Sequence, residues 1–165
     1  MVTFRIEAIV PKQKDAAKIF KAAYEGALRE TAEEIKKDLE AVTRTWEHEV
    51  KFTVRVIKRR DRLGITVSTK DKIFAYLNYG TKAHVIRPKR ARVLRFQSGY
   101  SAKTRPGFIG SSPGGASGDT VFAQSVNHPG TAPRGFDKII AKRRQKSLQS
   151  KMNHAMAVAA RKVNG

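Results

Sequence analysis

The chain has 165 residues, no cysteine, and 34 lysines and arginines against 14 aspartates and glutamates, a formal net charge of +20. This length and a hydrophobic content of 40% fit one folded domain and exclude wholesale disorder. Without cysteine there is no disulfide scaffold, thiolate metal site or cysteine nucleophile. No stretch approaches the roughly 20 apolar residues of a membrane span, and charges interrupt the N-terminal apolar runs. The sequence therefore predicts a soluble intracellular protein without a signal peptide.

The charge is divided unevenly along the chain. Residues 1–61 carry 14 basic and 11 acidic side chains, a net of +3, whereas residues 62–165 carry 20 basic and 3 acidic ones, a net of +17. Self-repulsion of this size destabilises a compact state, so the imbalance indicates a polyanionic partner: DNA, RNA or an acidic protein surface.

The N-terminal part predicts a strand followed by a long helix. Apolar residues alternate over residues 3–10, which predicts a strand with one buried face; that face holds Phe4, Ile6, Ala8 and Val10. After Pro11, steps of three and four over residues 12–46 predict an amphipathic helix of roughly 45 Å. A solvated face explains its many acids. A helix this long exceeds what a small core needs, so we expect its apolar stripe to span a sheet or pack on another subunit.

The middle of the chain alternates again. Residues 50–56 and 63–67, separated by a charged turn at 58–62, predict an antiparallel hairpin. Residues 73–79 are apolar and aromatic and end at Gly80, and their pattern does not separate a helix from a strand.

The C-terminal part mixes short strands with a glycine-rich segment. Strands are predicted at 85–86, 92–96 and 121–126, and a long flexible loop at 97–120, where 6 of the 24 residues are glycine and 5 are serine. A basic helix is predicted over 135–163; its inward side chains are Ile139, Ile140, Leu148, Met152, Met156 and Val158. The order predicts one α+β domain over residues 1–165, with a long N-terminal helix on a small, mostly antiparallel sheet.

The sequence offers little catalytic chemistry. The histidines are far apart, and none has an acid or another histidine at metal-site spacing; they are His48, His84, His128 and His154. Residues 110–114 match the G-x-S-x-G pattern of a nucleophile elbow, but they lie in the Gly/Ser/Pro segment with Pro113 directly after the serine. We therefore expect no metal, no cofactor and no enzymatic activity.

Two segments, 76–96 and 126–136, carry turn signals. Gly80 permits a sharp turn or a positive φ, and Pro88 forces the residue before it into an extended conformation. Residues 128–131 read His-Pro-Gly-Thr, a turn with one fixed and one permissive residue. Taken singly, each segment is explained as a structural turn that joins two strands.

Taken together, the two segments resemble the tail-component family of long-tailed bacteriophages, the head–tail joining, neck or tail completion proteins. The residues that carry this resemblance are Tyr79, Gly80, Thr81, His84, Pro88, His128, Pro129, Gly130 and Thr131. It covers about residues 70–140. The chain departs from the family after the second turn, where Pro-Arg-Gly-Phe stands at 133–136 in place of a Pro-Phe and then a Pro-Ala.

The resemblance implies a structural assembly protein of the virion. Such a protein forms a ring, sixfold in this family, at the joint between the head and the tail. Its partners are further copies of itself, the portal or connector proteins, and the tail tube or tail terminator. Double-stranded DNA passes through the ring without being read, and no membrane is involved. The expected location is the virion neck or tail, assembled in the host bacterial cytoplasm.

A cluster of basic residues lies on and just before the glycine-rich segment, within 17 residues and with no acid among them. Its members are Lys89, Arg90, Arg92, Arg95, Lys103 and Arg105. It faces DNA, docks on an acidic neighbour, or is a solvated charged face.

The alternative function is that of a structural RNA-binding protein of ribosomal type, for which this net charge is ordinary. Against it, the aromatic residues are not arranged as a stacking platform, and no recognition module such as K/R-G-F-G-F is present.

Overall fold

The computed structural model describes residues 1–9, 14–59 and 62–164, and the predicted α+β class is confirmed. The elements in these ranges are β1 Val2–Ile9, α1 Lys14–Thr43, β2 Thr53–Lys58, β3 Arg62–Thr69, α2 Lys72–Tyr79, β4 His84–Ile86, β5 Leu94–Ser101, β6 Gly115–Ala123, β7 Val126–His128 and α3 Phe136–Asn164. Val10 and residues 60–61 of the charged turn lie outside the described residues.

A three-stranded antiparallel sheet in the order β1-β3-β2 supports the long helix α1. The predicted β2–β3 hairpin is confirmed, and its register places Val56 opposite Ile65 and Val54 opposite Val67. Ile65 and Val67, on the central strand, are fully buried in the core. We call this sheet together with α1 and α3 the body.

Helix α1 has one apolar stripe, and that stripe is buried within the chain. Its residues recur at steps of four and three, the spacing that keeps side chains on one face; they are Leu28, Ala32, Ile35, Leu39 and Val42. The sheet covers part of the stripe and α3 covers the rest. The length of the apolar stripe therefore gives no reason to expect a second subunit on this helix, because α3 covers the part that the sheet leaves open.

The acids of α1 also meet α3. Arg144 donates two hydrogen bonds to the carboxylate of Asp38, at 2.7 and 2.8 Å, and a third to Glu34 at 3.1 Å. Lys151 lies 2.6 Å from a Glu34 oxygen and 2.9 Å from Glu30. The expectation of a merely solvated acidic face is wrong for these three acids, because the basic helix that neutralises them lies beside them in space.

These contacts shift the pKa values of the two cations. The hydrogen bond to Asp38 raises the pKa of the Arg144 guanidinium. For Lys151, partial burial lowers the pKa, but hydrogen bonds to Glu34 and Glu30 outweigh it and raise the pKa overall. Each cation is thus held in its charged form by the acids of α1.

Helix α3 is confirmed, with one error in its predicted inward face. Ile140 is fully buried, whereas Met156 is 49% exposed. The small residues Ala155 and Ala159 are buried instead. Small side chains let two helices approach closely, which a hydrophobicity pattern weighted towards large residues misses.

The structure settles the ambiguous segment 73–79 as helix α2. Asp71 caps it by accepting a 2.6 Å hydrogen bond from the Phe74 amide, and Gly80, at φ 77°, ends it. Helix α1 is shorter than predicted, because it ends at Thr43 and the carbonyl of that residue accepts a turn hydrogen bond from the Trp46 amide.

The predicted loop at 97–120 is wrong at both ends. Residues 97–101 belong to β5 and residues 115–120 to β6, and the two strands form an antiparallel pair. Only residues 102–114 connect them without strand structure. A strand ladder is made by backbone groups, so a segment of glycine and serine can pair without showing the alternation that sequence analysis relies on. We call residues 94–123 the arm.

Candidate docking site

The two segments that carry the family resemblance lie side by side in space. Strand β4 pairs with β7, so that His84 is opposite His128 with ring centroids 5.1 Å apart. Beyond these strands, Thr81 and Thr131 exchange backbone hydrogen bonds of 3.0 and 3.1 Å, and the Thr81 hydroxyl accepts a further one from the Thr131 amide. We call residues 80–88 and 126–131 together the paired turn.

Two glycines are required where the two halves of the paired turn meet. Gly80 and Gly130 have φ values of 77° and 89°, a region that favours glycine. A Cβ at Gly80 would lie 2.6 Å from the carbonyl oxygen of Thr131. A Cβ at Gly130 would likewise collide with the Thr81 backbone. The sequence predicted the turn at Gly80, but not that its tightness comes from the other segment.

Hydrogen bonds tie the paired turn to α2 and α3. The Leu77 carbonyl accepts from the Arg134 amide at 2.9 Å, and the Asn78 carbonyl accepts from the Gly135 amide at 3.1 Å. The Asn78 side-chain oxygen accepts from the Asp137 amide in the first turn of α3. Segments more than 50 residues apart in the sequence are thus locked into one unit.

Each histidine of the paired turn contacts a backbone group two residues away in the sequence. His128 Nδ1 accepts a 3.0 Å hydrogen bond from the Gly130 amide, and His84 Nδ1 lies 2.8 Å from the Lys82 carbonyl oxygen. Of the other predicted motif residues, Tyr79 is exposed and Pro88 is half-buried. Pro129 lies exposed between the strand and the bridge.

The arm extends from the paired turn to the far end of α1. Its connecting loop rests there, since the Ser111 hydroxyl donates to the Ala41 carbonyl at 3.1 Å and the Thr45 hydroxyl to the Ser112 carbonyl at 3.2 Å. Ile109 packs against the core. The G-x-S-x-G segment is part of this loop, between two strands, and so lacks the strand-to-helix setting of a nucleophile elbow.

The basic cluster divides into two parts. The exposed side chains make no ion pair with any residue that the structure describes; they are Lys89, Arg90, Arg92, Arg95 and Arg105. Lys103 differs, because it is mostly buried and lies 3.5 Å from a carboxylate oxygen of Glu47. Lys103 therefore pairs the arm with the turn that follows α1, and five exposed cations are left without an ion pair among the described residues.

A groove of about 910 Å³ lies between the arm, helix α2 and the turn that follows α1. Its apolar lining comes from these three parts: Trp46, Ile73, Leu77, Phe96 and Tyr100. Arg134 and three residues of the paired turn, His128, Gly130 and Thr131, also line it. Sequence analysis missed this groove, because its walls are distant in the chain and no local pattern joins them.

Exposed large apolar side chains are concentrated in the segment that contributes much of this groove. Ten of them fall between positions 73 and 122: Ile73, Tyr76, Tyr79, Val85, Ile86, Val93, Phe96, Tyr100, Phe108 and Phe122. Three of these, Ile73, Phe96 and Tyr100, line the groove itself. A surface with this many unpacked aromatic rings is typical of a protein–protein contact.

Among the described residues, no group of three or more histidines, aspartates and glutamates is placed to hold a metal ion. No helix in those ranges is long and apolar enough to cross a membrane. Comparison of the chain with protein-family models, curated proteins and solved structures finds no match.

Proposed function

We propose that this chain is a non-enzymatic structural protein of a bacteriophage virion, a ring-forming subunit at the head–tail joint through which DNA passes. Its neighbours in the virion neck are then further copies of itself, the portal or connector proteins, and the tail tube or tail terminator. The virion is assembled in the host bacterial cytoplasm.

One observation supports this proposal above the others. The two segments that carry the family resemblance form one unit, in which β4 pairs with β7 and Thr81 bridges Thr131. The bridged residues are 50 positions apart in the sequence, so the residues of the resemblance form one surface in place of two separate turns.

The surface beside the paired turn also fits a subunit of a ring. A closed ring needs heterologous contacts, in which one surface of a copy meets a different surface of the next. Phe108 and Phe122 of the arm are exposed and do not line the groove, so the chain offers two different apolar surfaces. The five unpaired cations near the arm then face phosphates in the channel or acids on the connector.

Assembly tests the proposal directly. The purified protein, alone and mixed with the connector and tail-tube proteins encoded beside it, is examined by analytical ultracentrifugation and electron microscopy. We expect a closed ring, formed alone or only on its template. A monomer under all of these conditions would contradict the proposal.

The RNA-binding alternative makes a different prediction for the same protein. A ribosomal-type protein binds one folded RNA far more tightly than random duplex DNA, because it recognises shape and unpaired bases. A ring subunit shows no such preference. Competition between a structured RNA and random DNA, at one stated salt concentration, separates the two functions.

A further inference from the structure

We propose that the groove binds an acidic, apolar segment of a neighbouring protein, with a carboxylate of that segment held by Arg134. The inference rests on the proposed function only in taking the partner to be a neighbour in the virion. It adds the chemistry of the docked segment and one residue that selects it.

Arg134 is a cation without an anion. No carboxylate among the described residues lies within ion-pair distance of its guanidinium, and its Nε is buried without a hydrogen-bond partner. Other partly buried cations of this chain, such as Arg144 and Lys151, are paired with acids. A buried, unpaired donor of this kind costs free energy unless a partner supplies the acceptor.

A second unsatisfied donor, Asn78, belongs to the interior and not to the groove. Asn78 is 1% exposed, and its Nδ2 has no hydrogen-bond partner among the described residues, although its Oδ1 accepts from the Asp137 amide. Arg134, by contrast, lines the groove, and its amide bonds to the Leu77 carbonyl, which fixes its backbone there. Its unpaired guanidinium is therefore the group that a ligand reaches, and a carboxylate fits a guanidinium best.

The rest of the groove indicates a peptide. Its volume of about 910 Å³ accommodates several large side chains. Trp46, Leu77 and Tyr100 give it apolar walls, which a nucleic-acid backbone would not use. Charge complementarity selects the peptide further, because the surrounding residues 80–135 hold nine lysines and arginines against the single acid Asp119.

Trp46 reports on the groove without any label. It is the only tryptophan of the chain and it lines the groove, so a bound segment changes its emission and shields it from acrylamide. The probes are two capped peptides without tryptophan: Gly-Phe-Leu-Asp-Leu-Phe-Gly and the same sequence with Asn in place of Asp.

We expect the Asp peptide to bind about tenfold or more tightly than the Asn peptide. Arg134→Gln removes this preference, whereas Arg134→Lys keeps part of it because the charge remains. Lys142→Gln is the matched control, since Lys142 is an exposed cation on α3 outside the groove and its loss leaves the preference unchanged. Tyr100→Ala weakens both peptides equally.

Several outcomes would overturn the inference. They are equal binding of the two peptides, a preference that survives in Arg134→Gln, and no change in Trp46 emission up to about 1 mM of either peptide. Shielding of Trp46 by a short DNA duplex in place of the peptides assigns the groove to nucleic acid and also overturns it. Thermal melting of each variant separates lost binding from lost folding.

Failure here is distinguishable from failure of the proposed function. A ring that still forms, with no peptide preference in the groove, removes only the inference about Arg134. If the protein prefers the Asp peptide but never assembles, the inference about the groove stands and the proposed ring is contradicted.

Discussion

The body and the arm are built by opposite rules. In the body, Leu28 and Leu39 of α1 are completely buried against the sheet and α3, whereas Tyr100 and Phe122 of the arm are 73% and 64% exposed. A two-stranded hairpin without a third strand or a covering helix is marginally stable in water. The body is therefore stable through its own packing, whereas the arm leaves large apolar side chains exposed.

Charge divides along the same line. The cations of α3 that face α1 are paired with Glu30, Glu34 and Asp38. Part of the excess positive charge of the C-terminal half is therefore neutralised inside the body. The five exposed cations on and before the arm, in contrast to Lys103, have no acid within ion-pair distance among the described residues. The unbalanced positive charge is therefore concentrated beside the arm.

Leu39→Ala should have the largest effect on stability if the body, and not the arm, forms the core. We expect it to lower the free energy of unfolding by about 2–5 kcal/mol, because it leaves a cavity in the core. Phe122→Ala removes a larger side chain from the arm, yet should change that free energy by no more than about 0.5 kcal/mol. Urea denaturation measures both, and equal costs would show that the arm is part of the cooperative core.

Gly80→Ala tests the contact that joins the two halves of the paired turn. We expect a loss of about 2–4 kcal/mol, from the strain of a positive φ together with the collision against the Thr131 carbonyl. Gly107→Ala is the matched control, because Gly107 has φ 76° with nothing within 4 Å of its Cβ position. It measures strain alone. If the two variants melt alike, the close approach of the two segments does not exist in solution.

Asp38→Asn tests the charges inside the body. It leaves the partly buried Arg144 with Glu34 as its charged partner in place of two acids, and we expect a loss of about 1.5–3 kcal/mol in denaturant unfolding. Glu40→Gln is the comparison, since Glu40 is half-exposed in its pair with Lys36 on the same helix and should cost about 0.5 kcal/mol or less. Similar losses of unfolding free energy in the two variants would mean that the acids of α1 form only a solvated charged face.

The salt dependence of DNA binding tests whether the exposed cations beside the arm contact phosphates. If the cations by the arm contact phosphates, binding is independent of DNA sequence and falls by orders of magnitude between about 50 and 200 mM salt. The variant with Arg90, Arg92 and Arg95 changed to Gln should lower the slope of log K against log salt by up to about three units.

The matched control removes the same charge elsewhere. Lys138, Lys142 and Lys146 are exposed at four-residue steps on α3, and changing all three to Gln should lower the slope less than the arm variant does. An unchanged slope in the arm variant means that its arginines do not touch phosphates, and docking on an acidic neighbour then explains them.

The elements whose side chains follow a period were predictable from the order of the residues alone. The types of helix α1 and of the β2–β3 hairpin were predicted correctly, and their ends approximately. Each element buries one face against a core, and this burial sets a regular spacing of apolar residues within the element itself. The α2 helix was ambiguous, although Asp71 three residues before Phe74 was a capping signal that would have settled it.

The contacts that those elements make are visible only in the folded chain. The partner of the α1 acids, the pairing of β4 with β7, the ladder inside the glycine-rich arm, and the groove beside Arg134 all depend on residues far apart in the chain. Backbone ladders and ion pairs across such distances leave no periodic trace in the residues on either side. A sequence pattern shows which face of an element is buried, whereas the three-dimensional packing alone shows what buries it.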